Sequence, residues 1–293
     1  MLLALLLLTT LGLTVASAPA AAHEPLRTQI DELTRQIAAD PTNPSLLLAR
    51  AELLRMNEQP QRAEADLREA QRLLPGSPAV EIVRAAMLRD AGRLIAAERQ
   101  LDPVIAAAPQ LVEARALRAE VREALGRAQD AIADLDQAIA QTRRAVPDLW
   151  LRRARLLATL GAAGEQRALA SLDEGLRTLG PSPALAELAI DLELRRGATD
   201  AALVRLDRMM AGLPRKETML ARRGEILAAA GRTLEAWVAW SDALAAIEAL
   251  PAHKRAAPAL LALDSRVRLA LRDAQDSEPS APTPTPTTVR TAP

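Results

Sequence analysis

The 293-residue chain has no cysteine and sets 37 Lys plus Arg against 37 Asp plus Glu. Without cysteine there are no disulfides, no thiol catalysis, no thiolate zinc sites and no lipid-modified N-terminal cysteine. The lack of a global basic excess argues against a phosphate-backbone binder. Apolar residues make up 49% but aromatics only 1%, so a core must be built from Leu, Ala, Ile and Val, and abundant Ala and Leu favour helix over sheet.

Met1 to Ala22 carry no charged side chain, Leu2 to Leu8 are apolar throughout, and Ala20-Ala21-Ala22 close the run before His23. Residues 1–22 read as a secretory signal peptide, which implies export to a periplasmic or extracellular setting. The alternative is an uncleaved N-terminal anchor, since about 18 apolar residues can cross a bilayer. Thr9, Thr10, Gly12 and Thr14 dilute the run and favour cleavage. No later stretch is long and apolar enough to insert. Residues 23–40 are expected to form an N-terminal capping helix, with Leu26, Ile30, Leu33 and Ile37 on one face.

From Pro41 the chain repeats itself. Ala51, Leu54, Ala63, Leu67 and Pro75 return as Ala85, Leu88, Ala97, Leu101 and Pro109, each 34 residues on. A fixed period of this size marks a helical repeat array. Residues 41–251 divide into six helix pairs, broken near Gln59-Pro60, at Gly92, at Gly126, at Gly161, at Gly197 and at Gly231. In the fourth pair Ala168 and Leu172 slip by two residues, which predicts a longer inter-helix turn at Gly161-Ala-Ala-Gly164. Pro103 falls inside a second helix and is expected to kink or split it. Residues 252–275 are expected to form a C-terminal capping helix, with Leu260, Leu263, Val267 and Leu271 facing the stack; residues 276–293, rich in Pro and Thr, read as a disordered tail.

These positions resemble the tetratricopeptide repeat (TPR) family. Its small slot on the first helix is matched by Ala51, Ala85, Ala119, Ala154 and Gly224, with Ile190 the exception. The small slot on the second helix is matched by Ala63, Ala97, Ala131, Ala168, Ala202 and Ala236. Trp150 stands at the family's leading Trp, Trp240 at its Phe, and Pro75, Pro109 and Pro214 at its closing Pro. The resemblance implies an all-α, right-handed superhelical solenoid of about six helix-turn-helix repeats with capping helices. The complete absence of Tyr and Phe departs from the family pattern and leaves Leu to fill the paired slots.

Catalytic residues are scarce, and no enzyme activity, cofactor or metal site is expected. His23 and His253 lie at opposite ends of the chain, and Gly161-Ala-Ala-Gly164 lacks the Lys-Ser/Thr ending of a phosphate loop. Trp237 and Trp240, three apart, are assigned to core packing. Arg143, Arg144, Arg152, Arg153 and Arg155 are assigned to a solvated inter-repeat turn rather than an acidic-partner patch. The family binds partners along a concave face lined by first helices. By register this points to Glu52, Arg55, Arg89, Asp90, Glu113, Glu120, Glu123, Arg155, Glu187, Asp191, Arg195 and Glu225 as partner-binding residues. Glu113, Glu120 and Glu123 together suit a basic or amphipathic segment. The resemblance thus implies a non-enzymatic exported scaffold that binds a protein or peptide and no nucleic acid. The alternative is an assembly subunit of a cell-envelope complex that uses edges and convex surface. If the small slots set helix spacing, Ala97→Leu overpacks the pair and lowers stability by about 1–3 kcal/mol; an unchanged melting temperature would refute the register.

Overall fold

The computed structural model describes residues 20–142 and 145–276. The expected signal segment up to Pro19, Arg143, Arg144 and the expected tail beyond Asp276 lie outside the described residues. The chain divides into two compact units, Met1–Thr142 and Arg143–Pro293. In the first, α1 (Ala20–Ala39) precedes three pairs: α2 (Pro44–Met56) with α3 (Pro60–Leu73), α4 (Pro78–Asp90) with α5 (Leu94–Ala107), and α6 (Val112–Ala124) with α7 (Ala128–Gln141). In the second, α8 (Pro147–Ala158) pairs with α9 (Gly161–Leu179), α10 (Pro183–Arg195) with α11 (Thr199–Ala211), and α12 (Glu217–Ala229) with α13 (Thr233–Glu248). The short α14 (Ala252–Arg255) leads into α15 (Pro258–Asp276), which packs on α12 and α13. Within each unit a second helix also packs on the first helix of the next pair, so the described chain is a succession of helix pairs closed by α1 and α15.

Local sequence explains where these helices start and stop. Proline opens α2, α3, α4, α8 and α10, where its missing N–H has no intrahelical partner to lose. The Asn43 side chain accepts the Ser45 N–H at 3.1 Å and caps α2. First helices end in one recurring knot. In the second pair, Arg93 N–H bonds back to the Leu88 carbonyl at 2.8 Å and Gly92 N–H to the Arg89 carbonyl at 2.9 Å. This pattern needs a left-handed residue at its centre, and Gly92 has φ +70°. The same long backward bond joins Gln59 to Leu54, Arg127 to Arg122, Ala198 to Glu193 and Arg232 to Leu227. In the first pair the left-handed position is held by Glu58, φ 56°, the one non-glycine residue with positive φ among the described residues.

The core follows the small slots. Ala51, Ala63, Ala85, Ala97, Ala119 and Ala131 are fully buried in the first unit, as are Ala154, Ala168, Ala202 and Ala236 in the second. Leu67, Leu101, Leu135, Leu172 and Leu206, one turn later on the second helices, are buried with them. Ile190 is the exception in the slot and is also fully buried. Glycine is used where indole must fit. A Cβ on Gly224 would lie 2.4 Å from the Trp240 ring, and one on Gly175 would lie 2.5 Å from Leu185 and 3.1 Å from Trp150. Trp150 and Trp240 are buried, but Trp237 is 41% exposed. The two tryptophans of α13 are therefore not both core residues.

Two further expectations need correction. The fourth pair has no lengthened turn: α8 ends at Ala158 and α9 already begins at Gly161. The extra residues extend the second helix at its start. Gly164 permits this close entry, because a Cβ there would stand 2.2 Å from the Leu157 carbonyl oxygen. Pro103 does not split α5, which runs unbroken from Leu94 to Ala107. Both Pro103 and Arg99 are exposed, so the carbonyl at Arg99 that loses its helical partner lies on the solvent side.

No helix among the described residues is long and apolar enough to cross a membrane. Glu58→Gly tests the turn assignment. Left-handed backbone costs a residue with a Cβ about 1–2 kcal/mol, and glycine returns about 0.5–1 kcal/mol of that as chain entropy. The variant is expected to be more stable by about 0.5–1 kcal/mol in denaturant titration.

Candidate functional site on the first helices

The first helices carry charge in two systems, one between helices of a pair and one along the outer face. The pair system starts one residue before the small slot, at Arg50, Arg84, Arg118, Arg153 and Arg223. Arg50 grips Asp66 of α3 with two bonds, 2.8 and 2.7 Å, and reaches Thr34 of α1 at 3.1 Å. Arg118 repeats the arrangement with Asp134 of α7 at 2.9 and 2.6 Å and Asp102 of α5 at 2.9 Å. Each arginine thus joins three consecutive helices. Arg122, on the next turn of α6, adds a 2.7 Å bond to Asp134 and a 2.8 Å bond to Glu98 of α5. Asp134 is left with only 3% of its side chain exposed, bonded by two guanidinium groups, with a third, that of Arg115, at 3.8 Å. The Asp134 hydrogen bond raises the Arg118 pKa against the opposing effect of burial.

The fifth pair inverts the polarity. Glu193 of α10 accepts Arg205 Nε of α11 at 2.7 Å, across the same 12-residue spacing that separates Arg122 from Asp134. Arg205 also reaches Asp173 of α9 at 2.6 Å. Arg223 reaches Asp207 of α11, and Arg153 donates to Ser171 at 2.9 Å and to Glu174 at 3.0 Å. Arg153 also lies 4.6 Å from the centroid of the Trp150 ring, a cation–π distance. This corrects the assignment of Arg153 to a solvated turn. The sequence does signal the pair system: Arg50, Arg84 and Arg118 follow the 34-residue period, and Asp66 and Asp134 stand 16 residues beyond the first and last of them.

The outer face holds the residues expected to meet a partner. In the first unit, Glu52 accepts two bonds from Arg55 at 2.9 and 2.6 Å, and Arg55 reaches across to Asp90 of α4. Asp90 accepts two more from its neighbour Arg89, at 3.0 and 2.8 Å, and Arg89 reaches Glu120 of α6. Five expected residues thus form one ionic chain over α2, α4 and α6. Burial opposes the ionised form of Asp90, yet its bonds from Arg89 and Arg55 hold the carboxyl below its usual range. Glu113 and Glu123 are exposed on α6 beside this chain. Among the expected residues on α2, α4 and α6, the five acids Glu52, Asp90, Glu113, Glu120 and Glu123 stand with two arginines, Arg55 and Arg89, although the three helices as a whole carry seven arginines and six acids.

In the second unit the charges are matched. Arg222 joins Glu187 and Asp191 of α10, the latter at 2.8 Å. Glu225 meets Arg266 of α15 at 3.2 Å, and Arg195 lies 3.9 Å from Glu165 of α9. Arg155 is exposed on α8. Arg222 is missing from the expected set. Its register equivalents in the first unit are Ala49, Val83 and Leu117, and only Arg152 of the fourth pair puts a charge at that position. Among the described residues no group of three His, Asp or Glu side chains is placed to share a metal ion.

No protein-family model matches the sequence. No curated protein matches it either. Solved structures do. The C-terminal part of a TPR repeat-containing protein from Cytophaga hutchinsonii superposes with a TM-score of 0.56 at 14% identity, over 77% of this chain and 92% of that one. PilW, described as a widely conserved type IV pilus biogenesis factor, superposes with a TM-score of 0.51 at 18% identity, over 66% of this chain and 89% of that one. The fold is that of the tetratricopeptide repeat. The TPR register places the small slots, the turn glycines and Trp240 where the packing requires them.

Glu98 gives the TPR pair system a pH signature. Burial raises its pKa, but the bonds from Arg122 and Arg127 outweigh that and hold the carboxyl below the ordinary glutamate range. A depressed pKa contributes stability above the unfolded value of about 4.3 and loses it as pH falls through the folded value. Glu98→Gln is therefore expected to flatten the decline of melting temperature between about pH 5 and 3; an unchanged slope would remove Glu98 from the acid response.

Proposed function

We propose that this chain is a non-enzymatic scaffold whose first-helix face, the family's concave face, binds a cationic or amphipathic protein segment. The observation that carries the reading is how the seven arginines and six acids on α2, α4 and α6 are used. Arg50, Arg84, Arg115, Arg118 and Arg122 are engaged by the second helices or the adjoining loop, which leaves five acids with Arg55 and Arg89 in the expected contact set. Three of these acids, Glu52, Asp90 and Glu120, are oriented by arginines from the same or the adjacent helix. Partly exposed ion pairs of this kind add only about 0–1 kcal/mol each to stability. Their effect is to fix carboxylates in a row before a partner arrives, which lowers the ordering cost of binding. All twelve residues named from the sequence remain the proposed contact set, with the first-unit members carrying the preference for positive charge. Residues 1–22, read as a signal peptide or anchor, support an exported, periplasmic or extracellular setting. PilW is named as a pilus biogenesis factor, and the likeness in fold makes an envelope setting the natural place to search for the partner.

One observation favours a second reading, an assembly subunit of an envelope complex. Leu234, Trp237 and Val238 lie three and four residues apart on α13 and are 72%, 41% and 53% exposed. An outward apolar stripe of this kind suits an edge contact. The deciding experiment is affinity capture from envelope extracts with three forms of the full chain: wild type, Glu113→Lys with Glu123→Lys, and Leu234→Ser with Val238→Ser. Loss of one dominant basic partner only in the Glu113/Glu123 form is expected. Loss only in the Leu234/Val238 form would replace scaffold binding by assembly.

A further inference from the structure

The second unit contains an open surface cavity of about 770 Å³ between the start of α12 and the α14–α15 segment, with Leu260 and Leu263 buried at its base and the rest of its lining exposed. Its charged lining has one sign: Arg215, His253, Lys254 and Arg266. Two internal carboxylates offset part of this. Arg215 Nε donates to the buried Glu217 at 2.7 Å, and Arg266 Nε lies 3.2 Å from Glu225. Among the described residues neither Lys254 nor His253 has an ion pair. Three permanent cations thus meet two carboxylates, with an imidazole beside them. The excess is one positive charge, held on an exposed ammonium that presents three donors.

The rest of the wall is aliphatic. Ala257, Leu260 and Leu263 supply an apolar floor beneath those cations. A neighbouring cavity of about 500 Å³ makes the contrast. Its Arg255 and Arg268 stand with Glu248 and Asp264, and Arg268 bonds both acids at 2.9 Å. That lining is neutral, and both of its acids are bound to Arg268. The larger cavity is not neutral.

We propose that the cavity at α12, α14 and α15 binds an amphipathic anion, an aliphatic chain that ends in one carboxylate or phosphate-type oxyanion. The oxyanion meets Lys254 and His253 and takes the remaining N–H donors of Arg215 and Arg266, while the chain lies on Leu260 and Leu263. Charge complementarity selects the sign of the ligand, and the aliphatic floor selects against a bare ion. The site is separate from the first-helix face of the first unit, so failure of that reading leaves this one standing.

Calorimetric titration of the full chain tests it, with decanoate, decyl phosphate, acetate and decyltrimethylammonium, each below micelle formation. One saturable site for decanoate or decyl phosphate is expected, the tighter of the two naming the head group, with acetate at least tenfold weaker. His253→Glu with Lys254→Glu is expected to weaken binding at least tenfold at an unchanged melting temperature. Arg255→Glu, in the neighbouring cavity, is expected to leave it within twofold. Ala262→Glu, an exposed residue of the same wall, provides an independent loss if the double variant does not fold. Equal binding of decyltrimethylammonium, equal binding of acetate, undiminished binding in both the double variant and Ala262→Glu, or no saturable binding would each overturn the proposal.

Discussion

The helices of each pair meet at fully buried alanines, with glycine where an indole must fit. Helices pack about 8–10 Å apart, and small contact residues allow the near end of that range. With aromatics at 1% of the chain, few large side chains exist to fill a wider gap. Close approach is therefore the condition on which the remaining packing depends. The second-helix leucines can close the core only because Ala51, Ala85 and Ala119 bring the backbones together. In the small slots the chain departs from alanine at Ile190, which is fully buried, and at Gly224. Gly224 makes room for Trp240, and Gly175 for Trp150 and Leu185.

The same spacing explains the arginine clamps. Once two helices are pulled close, a guanidinium one position from the small slot reaches the facing carboxylate of its pair and the helix before it. Arg118 does this with Asp134 and Asp102. The planar fork suits such bridging better than an ammonium would, and nearly all basic residues of this chain are arginine. Exposed ion pairs contribute little, but removing one partner of a buried pair costs about 3–5 kcal/mol. Asp134, enclosed by two arginines, belongs to the second class.

Periodicity made the architecture legible. Alanine at a fixed slot, glycine at a fixed turn and proline at helix starts are single-residue signals, each with one physical cause, and a 34-residue period adds them up. What stayed hidden depends on pairs. Asp66 and Asp134 look like solvated charges until α3 and α7 are laid against α2 and α6. Glu58 stands in the turn series where glycine was the signal, so its left-handed backbone had no marker. The α9 entry was misread because two glycines three residues apart suggest a loop, whereas Gly164 serves close packing within a helix. On the candidate face, register chose positions that prove to be joined in ionic chains, but it could not show the joining. Arg222 was missed because its register equivalents in the first unit are apolar, and only Arg152 of the fourth pair carries a charge at that offset.

The inverted clamp also bears on how such an array can change its length. In the third pair the first helix supplies the cation and the second the anion, Arg122 to Asp134; in the fifth the roles are exchanged, Glu193 to Arg205. A chimaera that joined α10 to α7 would set Glu193 against Asp134, and one that joined α6 to α11 would set Arg122 against Arg205. Both would set like charges face to face at a largely buried site. Small slots alone would let the helices be shuffled freely. The clamps restrict exchange between the third and fifth pairs, whereas the first and third pairs share an Arg–Asp clamp of the same polarity and spacing, Arg50 to Asp66 and Arg118 to Asp134, and could trade helices without a clash of sign.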